Sequence, residues 1–327
     1  MLTNNSPDPK NKNFVLYPSL ALIICFLLLG IGKGYGQQNL AQKLGYKKEA
    51  KLLIIHADDL GISHSENSAS IKAMEEGAVN SASIMMPTPW VTEIAEYAIL
   101  NSNKHDLGLH LVLTSEWENY KWGPVASIEK IPSLIDDHGY FYADCQTDPN
   151  LDEVETELRA QIELAYTMGI DPTHLDSHMG CLFWTKAEVF KIYIKLAQEY
   201  ELPCLVDRSF ANLFTDKSEF DELLKEQEYS VLVDYNLTIS PSEYKEGAAI
   251  YYKNALRTIK PGLTQFLIHT AFDNDEMRAI TINHPDWGAT WRQEDFDFFM
   301  SDICKKIIEE EEIILVTWRE ISKALSQ

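Results

Sequence analysis

Residues 52–61 read LLIIHADDLG. Four aliphatic residues lead into His56, and then two carboxylates, Asp58 and Asp59, stand side by side. A short unbroken apolar run predicts a strand buried on both faces, as in parallel sheets covered by helices. Two adjacent carboxylates at the end of such a strand repel each other and lose hydration. The pattern therefore calls for a compensating positive group close to both.

Working outward, the chain alternates. Ser65–Val79 has helical spacing, with Ser63 or Ser65 as a cap and Gly77 as its stop. SASIMMP (81–87) is a strand, residues 90–101 a helix, and DLGLHLVL (106–113) a strand. Residues 114–150 form a long irregular insert rich in Trp, Tyr, Pro and Asp. An amphipathic helix follows and ends at Gly169; THLDSH (173–178) is a strand end, and residues 186–200 are a helix. LPCLV (202–206), YSVLVDY (229–235), LTQFLIH (263–269) and EIILVTW (312–318) read as further strands, with helices between them. Alternation of this kind implies parallel strands joined by right-handed crossovers. The expected class is α/β: a distorted or incomplete (β/α) barrel of about seven parallel strands with outer helices, in a single domain over 45–327. An open doubly wound sheet is the alternative. Either way, reactive groups gather at the carboxyl ends of the strands.

Those ends carry an unusual set. The first strand delivers His56, Asp58 and Asp59, the third His110, the fourth His174, Asp176 and His178, and a later one His269. Carboxylate plus two or three imidazoles suits a divalent cation such as zinc, iron, manganese or cobalt, while magnesium tolerates fewer nitrogens. One aspartate would hold the ion, and its neighbour would lie close enough to activated water to act as base. The four-residue spacing of His174 and His178 puts both on one face of either a helix or a strand, so it does not choose between them. Asp176 shares that face in a strand and can orient an imidazole as a supporting partner.

Composition narrows the rest. The 327 residues carry a net charge of −22, from 28 basic and 50 acidic side chains, which argues against nucleic acid as a partner. There is no phosphate-binding glycine loop, heptad repeat or G-x-S-x-G nucleophile elbow. Residues 1–36 combine a polar start with Lys10 and Lys12, an apolar run from Phe14 to Gly30, and a small polar exit. They read as a secretory signal cleaved near Gly36, giving a secreted or periplasmic protein; a retained anchor is the alternative and would be the only route to the membrane. Export permits oxidation, yet the spacing of Cys145, Cys181, Cys204 and Cys304 fixes no pairing, and buried free thiols are as acceptable as disulfides.

IIHADDLG, NSASIMM, DLGLHLVLTSEW and THLDSHMG, in that order, resemble the YdjC-like carbohydrate deacetylase family, itself similar to the NodB-type polysaccharide deacetylases. The resemblance runs from about Leu52 to His269. It implies one divalent metal ion, magnesium or zinc, and hydrolysis of acetyl groups from N-acetylated oligo- or polysaccharides. By position it implies Asp59, His110 and His178 as metal ligands, Asp58 as catalytic base and His269 as general acid. His174 is an alternative ligand and Asp176 a supporting one. A homodimer is left open. Two stretches depart from the family: MGCLFW replaces a histidine-rich run after Asp-Ser-His, and HTAF replaces His-Pro-Gly around His269. Trp117, Tyr120, Trp122, Tyr140, Tyr142, Trp287 and Trp291 are candidates for sugar-stacking walls, with plain loop packing expected for about half of them. The competing readings are an esterase or amidase on another acylated substrate, and a glycan-binding barrel without catalysis.

Overall fold

The strand carrying the two carboxylates is the axis of the molecule. In the computed structural model, which describes residues 39–225 and 227–325, β1 (Lys51–Leu60) is buried from Leu52 to its end. The proposed signal segment lies outside the described residues. Among the described residues no helix is long and apolar enough to cross a membrane. The other strands are β2 (Ser81–Ile84), β3 (Leu107–Leu111), β4 (Leu175–Ser177), β5 (Cys204–Asp207), β6 (Ser230–Val233), β7 (Tyr235–Leu237), β8 (Gly262–Ile268) and β9 (Ile313–Leu315).

All pairings are parallel, in the order β6-β5-β4-β3-β2-β1-β8-β7. The two strands at the ends of this order, β6 and β7, are separated in sequence by Asp234 alone. The chain itself therefore joins the edges, and the sheet wraps into a nearly closed, distorted (β/α) barrel. This is the expected class and not the open doubly wound sheet. The strand count is higher than the expected seven. YSVLVDY, read as one strand, is two, because Asp234 turns away from β5 and toward β8. Its backbone N–H donates to Leu263 O at 2.9 Å, and its Oδ2 accepts from Leu263 N at 2.8 Å.

β1 has three partners. β8 runs along one edge from Lys51 to Ala57. The other edge is shared, with β9 beside residues 51–53 and β2 beside residues 56–60. Asn80 seals the junction: its Oδ1 accepts from Ile55 N at 2.8 Å, and its Nδ2 donates to Val316 O at 2.8 Å. Helices cover the outside. His64–Glu76 begins at Ser63, whose hydroxyl accepts from Glu66 N at 3.0 Å. It stops at Gly77. The insert 114–150 stays irregular apart from a 3₁₀ turn at Ile128–Lys130 and one bridge, Ile135 to Phe141. Of its aromatics, Trp117 and Trp122 are buried, as is Trp291, so these three are packing residues; Tyr140 and Tyr142 are exposed. Cys145 in the insert forms a disulfide with Cys181, and Cys204 and Cys304 are buried free thiols.

Candidate active site

Neighbouring residues of a strand point to opposite faces, so Asp58 and Asp59 ought to diverge. They do not. The register between β1 and β2 shifts between Ala57 and Leu60, and Asp59 has φ +70°. This bulge brings both carboxylates to His110 Nε2, Asp59 Oδ1 at 3.5 Å and Asp58 Oδ2 at 3.6 Å. A left-handed residue other than glycine costs on the order of 1 kcal/mol, least for Asp or Asn. The cost falls at the paired carboxylates of the candidate site. Gly108, two residues before His110, makes a different contribution: a Cβ there would collide with the ring of His174. The bare backbone admits that imidazole under the sheet.

His178, at the end of β4, completes the group, with Nδ1 3.2 Å from Asp59 Oδ1. One atom each from Asp59, His110 and His178 lies within 4.8 Å of the others. A cation with bonds of about 2.0–2.2 Å places neighbouring donor atoms roughly 3–3.5 Å apart, which is the spacing of these edges. Asp59 Oδ1 is buried and has no hydrogen-bond partner. The remote nitrogens of both rings are held by carboxylates: His110 Nδ1 is 2.7 Å from Asp176 Oδ1, and His178 Nε2 is 3.0 Å from Glu116 Oε2. Carboxylates in that position orient and enrich metal-binding imidazoles. The donor set therefore fits a divalent ion.

The electrostatics point the same way. Burial disfavours a charged His178, yet Glu116 and Asp59 outweigh it and push the ring up to about 10. Burial likewise opposes a charged His56, but Asp176 and Asp58 push it to about 10. Burial would raise Asp59, and Arg292 followed by His178 instead hold it well below the usual carboxylate range. The paired carboxylates thus draw positive charge from every side. This is the compensation that the opening stretch called for.

His174 sits in a lower layer. Its Nε2 is 3.9 Å from Asp176 Oδ2 and finds no partner, and its ring stacks on Trp318 at 5.1 Å. It groups with Asp176 and His56, and Asp176 also groups with Asp58 and His110, which links this cluster to the first. His269 faces the site from β8, with Nε2 3.9 Å from Asp59 Oδ2. Burial pulls its ring down to about 4. Its backbone N–H donates to Asp295 Oδ2 at 3.0 Å, and the Tyr252 hydroxyl donates to Asp295 Oδ1.

Several site residues escaped the sequence reading. Arg292 reaches Asp59 Oδ2 at 2.7 Å and Glu66 Oε2 at 2.9 Å. Glu116 braces His178. His56 was counted in the strand-end set but given no role, and its Nε2 lies 2.8 Å from Asp176 Oδ2 and 3.2 Å from Asp58 Oδ1. Glu66 and Glu116 lie just after the ADD and GLH motifs, a proximity that was available as a signal. Arg292 carried none, because it arrives from the distant helix Ala289–Met300.

Three comparisons bear on this arrangement. A family model described as YdjC-like protein matches residues 52–310. A carbohydrate deacetylase of Thermus thermophilus is 31% identical over 284 residues, covering 84% of this chain and 95% of the relative. One of Thermoanaerobacter pseudethanolicus is 27% identical over 238 residues, covering 72% and 86%. A crystal structure from Enterococcus faecalis, of a protein named for a suggested role in cellobiose-phosphate cleavage, superposes with a TM-score of 0.68 at 25% identity. It covers 83% of this chain and 99% of its own.

Proposed function

This chain belongs to the YdjC-like family, and from that premise we propose that it is a metal-dependent hydrolase removing acetyl groups from N-acetylated oligo- or polysaccharides. Relatives named carbohydrate deacetylase support the activity on sugars. The observation that carries the metal dependence is the buried, unpartnered Asp59 Oδ1 facing His110 and His178, each braced by a further carboxylate. In this reading Asp59, His110 and His178 hold one divalent cation, magnesium or zinc. Bound there, the cation would polarise the acetyl carbonyl and make water a stronger acid.

The chain's own residues do the rest. Asp58 takes the proton from the attacking water, and His56 and His110 orient its carboxylate. Asp176 holds His110 in one ring orientation, and Glu116 does so for His178. His269 gives a proton to the departing amine. Burial keeps its ring neutral at the start, so the proton it passes on is the one that Asp58 takes from the attacking water, and the balance closes with acetate and the free amine. The same reading makes residues 1–36 an export signal and places the mature protein outside the cytoplasm. The Cys145–Cys181 disulfide, which persists in oxidising compartments, supports that placement.

Acetate release across N- and O-acetylated oligosaccharides, with elemental analysis of the purified protein, tests the proposal. Release from N-acetyl substrates with about one divalent ion per chain is expected. Release from O-acetyl substrates alone would make it an esterase, and glycan binding without any release would make it a non-catalytic barrel. One observation favours a second assignment within the site. Arg292 occupies Asp59 Oδ2, a partner that suits a base as well as a ligand. Metal content separates the two: Asp59→Asn loses the ion if Asp59 is the ligand, and Asp58→Asn loses it if the roles are exchanged.

A further inference from the structure

The stretch after His178, MGCLFW, has an unusual structure. Met179 has φ +51° and Gly180 φ +65°, so the backbone reverses directly behind a candidate metal ligand. The turn is fixed from several directions. Cys181 is bonded to Cys145 of the insert, Leu182 N donates to Ser177 Oγ at 3.1 Å, and Thr185 Oγ1 donates to Cys181 O at 2.9 Å. The short helix Cys181–Trp184 then lays the Trp184 indole over Gly180, where a Cβ would meet the ring at 2.5 Å. Phe210 braces the indole edge-on at 5.1 Å.

Rigid scaffolding of this kind ordinarily serves to bury an aromatic ring. Here Trp184 is 58% exposed, and Met179 beside it is 48% exposed. Phe183, the neighbour of Trp184 in the same short helix, is buried against Phe210 at 4.4 Å, so the helix already has its anchor. Trp184 is held in place and left open. It stands six residues past His178, in the segment that follows β4 at the carboxyl end of the sheet, the end that carries the candidate site.

We propose that the Met179–Trp184 turn is a sugar-stacking subsite that binds the residue adjoining the acetylated one. The inference rests on the deacetylase reading above. The apolar C–H face of a pyranose matches an immobilised indole, and pre-ordering by the disulfide and the Gly180 contact removes most of the entropy that stacking would otherwise cost. Met179 supplies a polarizable flank that adapts to different ring substituents.

The test is steady-state acetate release from an N-acetylated trisaccharide and from the matching monosaccharide, for the wild type, Trp184→Ala, Trp184→Phe and Met179→Ser. In the wild type the trisaccharide has the lower KM. Trp184→Ala shrinks that advantage roughly tenfold with little change in kcat, and Trp184→Phe restores most of it. An advantage of the same size in Trp184→Ala as in the wild type overturns the subsite. A thermal melt accompanies each variant, and if Trp184→Ala is unstable, Met179→Ser carries the comparison with a smaller loss. Calorimetric binding of the trisaccharide keeps the two readings apart. Weaker binding by Trp184→Ala without acetate release from any protein would keep the subsite and remove the deacetylase. Release with a KM advantage that ignores Trp184 would do the reverse.

Discussion

Two buried regions of this barrel are built on opposite principles. Around the carboxyl ends of β1, β3 and β4 the interior is charge: Asp58, Asp59, His56, His110, Asp176 and His178, all nearly inaccessible. Beside β5 it is rings: Phe190 lies within 6.2 Å of Tyr193, Phe210, Phe214 and Phe220. Ring packing holds the fold through contact area and geometry, at no desolvation cost. Buried charges repay their dehydration only through one another, or through an ion. The difference shows where stability is stored and where it is given up for chemistry.

The sharpest way to break that contrast is Asp58→Asn. Turnover should fall by about 10²–10⁴-fold. Bound metal should persist and the melting temperature should hold or rise, because one of two repelling carboxylates is gone. A large drop in melting temperature would make the charged region structural after all. Phe190→Ala is the converse. It should cost about 3–5 kcal/mol in denaturant unfolding and leave kcat per folded molecule unchanged.

Asp295 joins the regions, touching His269 on one side and Tyr252 on the other. Burial pushes its carboxyl up to about 7, against the opposing pull of the Tyr252 hydroxyl. A raised carboxyl favours the folded state while it keeps its proton. That contribution is complete below about pH 4 and is lost as pH climbs through about 7. Unfolding titrations should show this decline, on the order of 2–4 kcal/mol, and Asp295→Asn should flatten it. The smallest effect belongs to Asn80→Ala, which strands the buried Ile55 N–H. It should cost about 1–3 kcal/mol with no kinetic change, and a kinetic change would mean that strain at the β1 junction reaches the carboxylates.

Much of this was legible in the sequence. A short apolar run ending in charge marks β1, and GLH and HLDSH mark β3 and β4, because local pattern and strand-end position coincide there. The division of YSVLVDY was not legible, since it depends on Asp234 meeting Leu263, a contact no period-two pattern encodes. That Asp58 and Asp59 serve one site was expected, but the bulge that brings them together was not legible, since a strand pattern read residue by residue predicts divergence. Arg292 was hidden for a third reason. An arginine on a helix reads as solvated surface until the fold shows that it is buried between Asp59 and Glu66. Pairing of Cys145 with Cys181 likewise required the insert to fold back on the turn after β4.

The three-partner strand has a consequence for how the molecule is made. Lys51 pairs with Gly262 and Ile313, so the first strand to leave the ribosome waits for nearly the whole chain before the amino-terminal half of either edge is covered. Until then, residues 51–55 present an apolar, hydrogen-bond-hungry template to any neighbouring nascent chain. A truncation that removed only β9 would leave the side chains of the candidate site intact in sequence and still yield a protein prone to associate through the strand that bears Asp58 and Asp59.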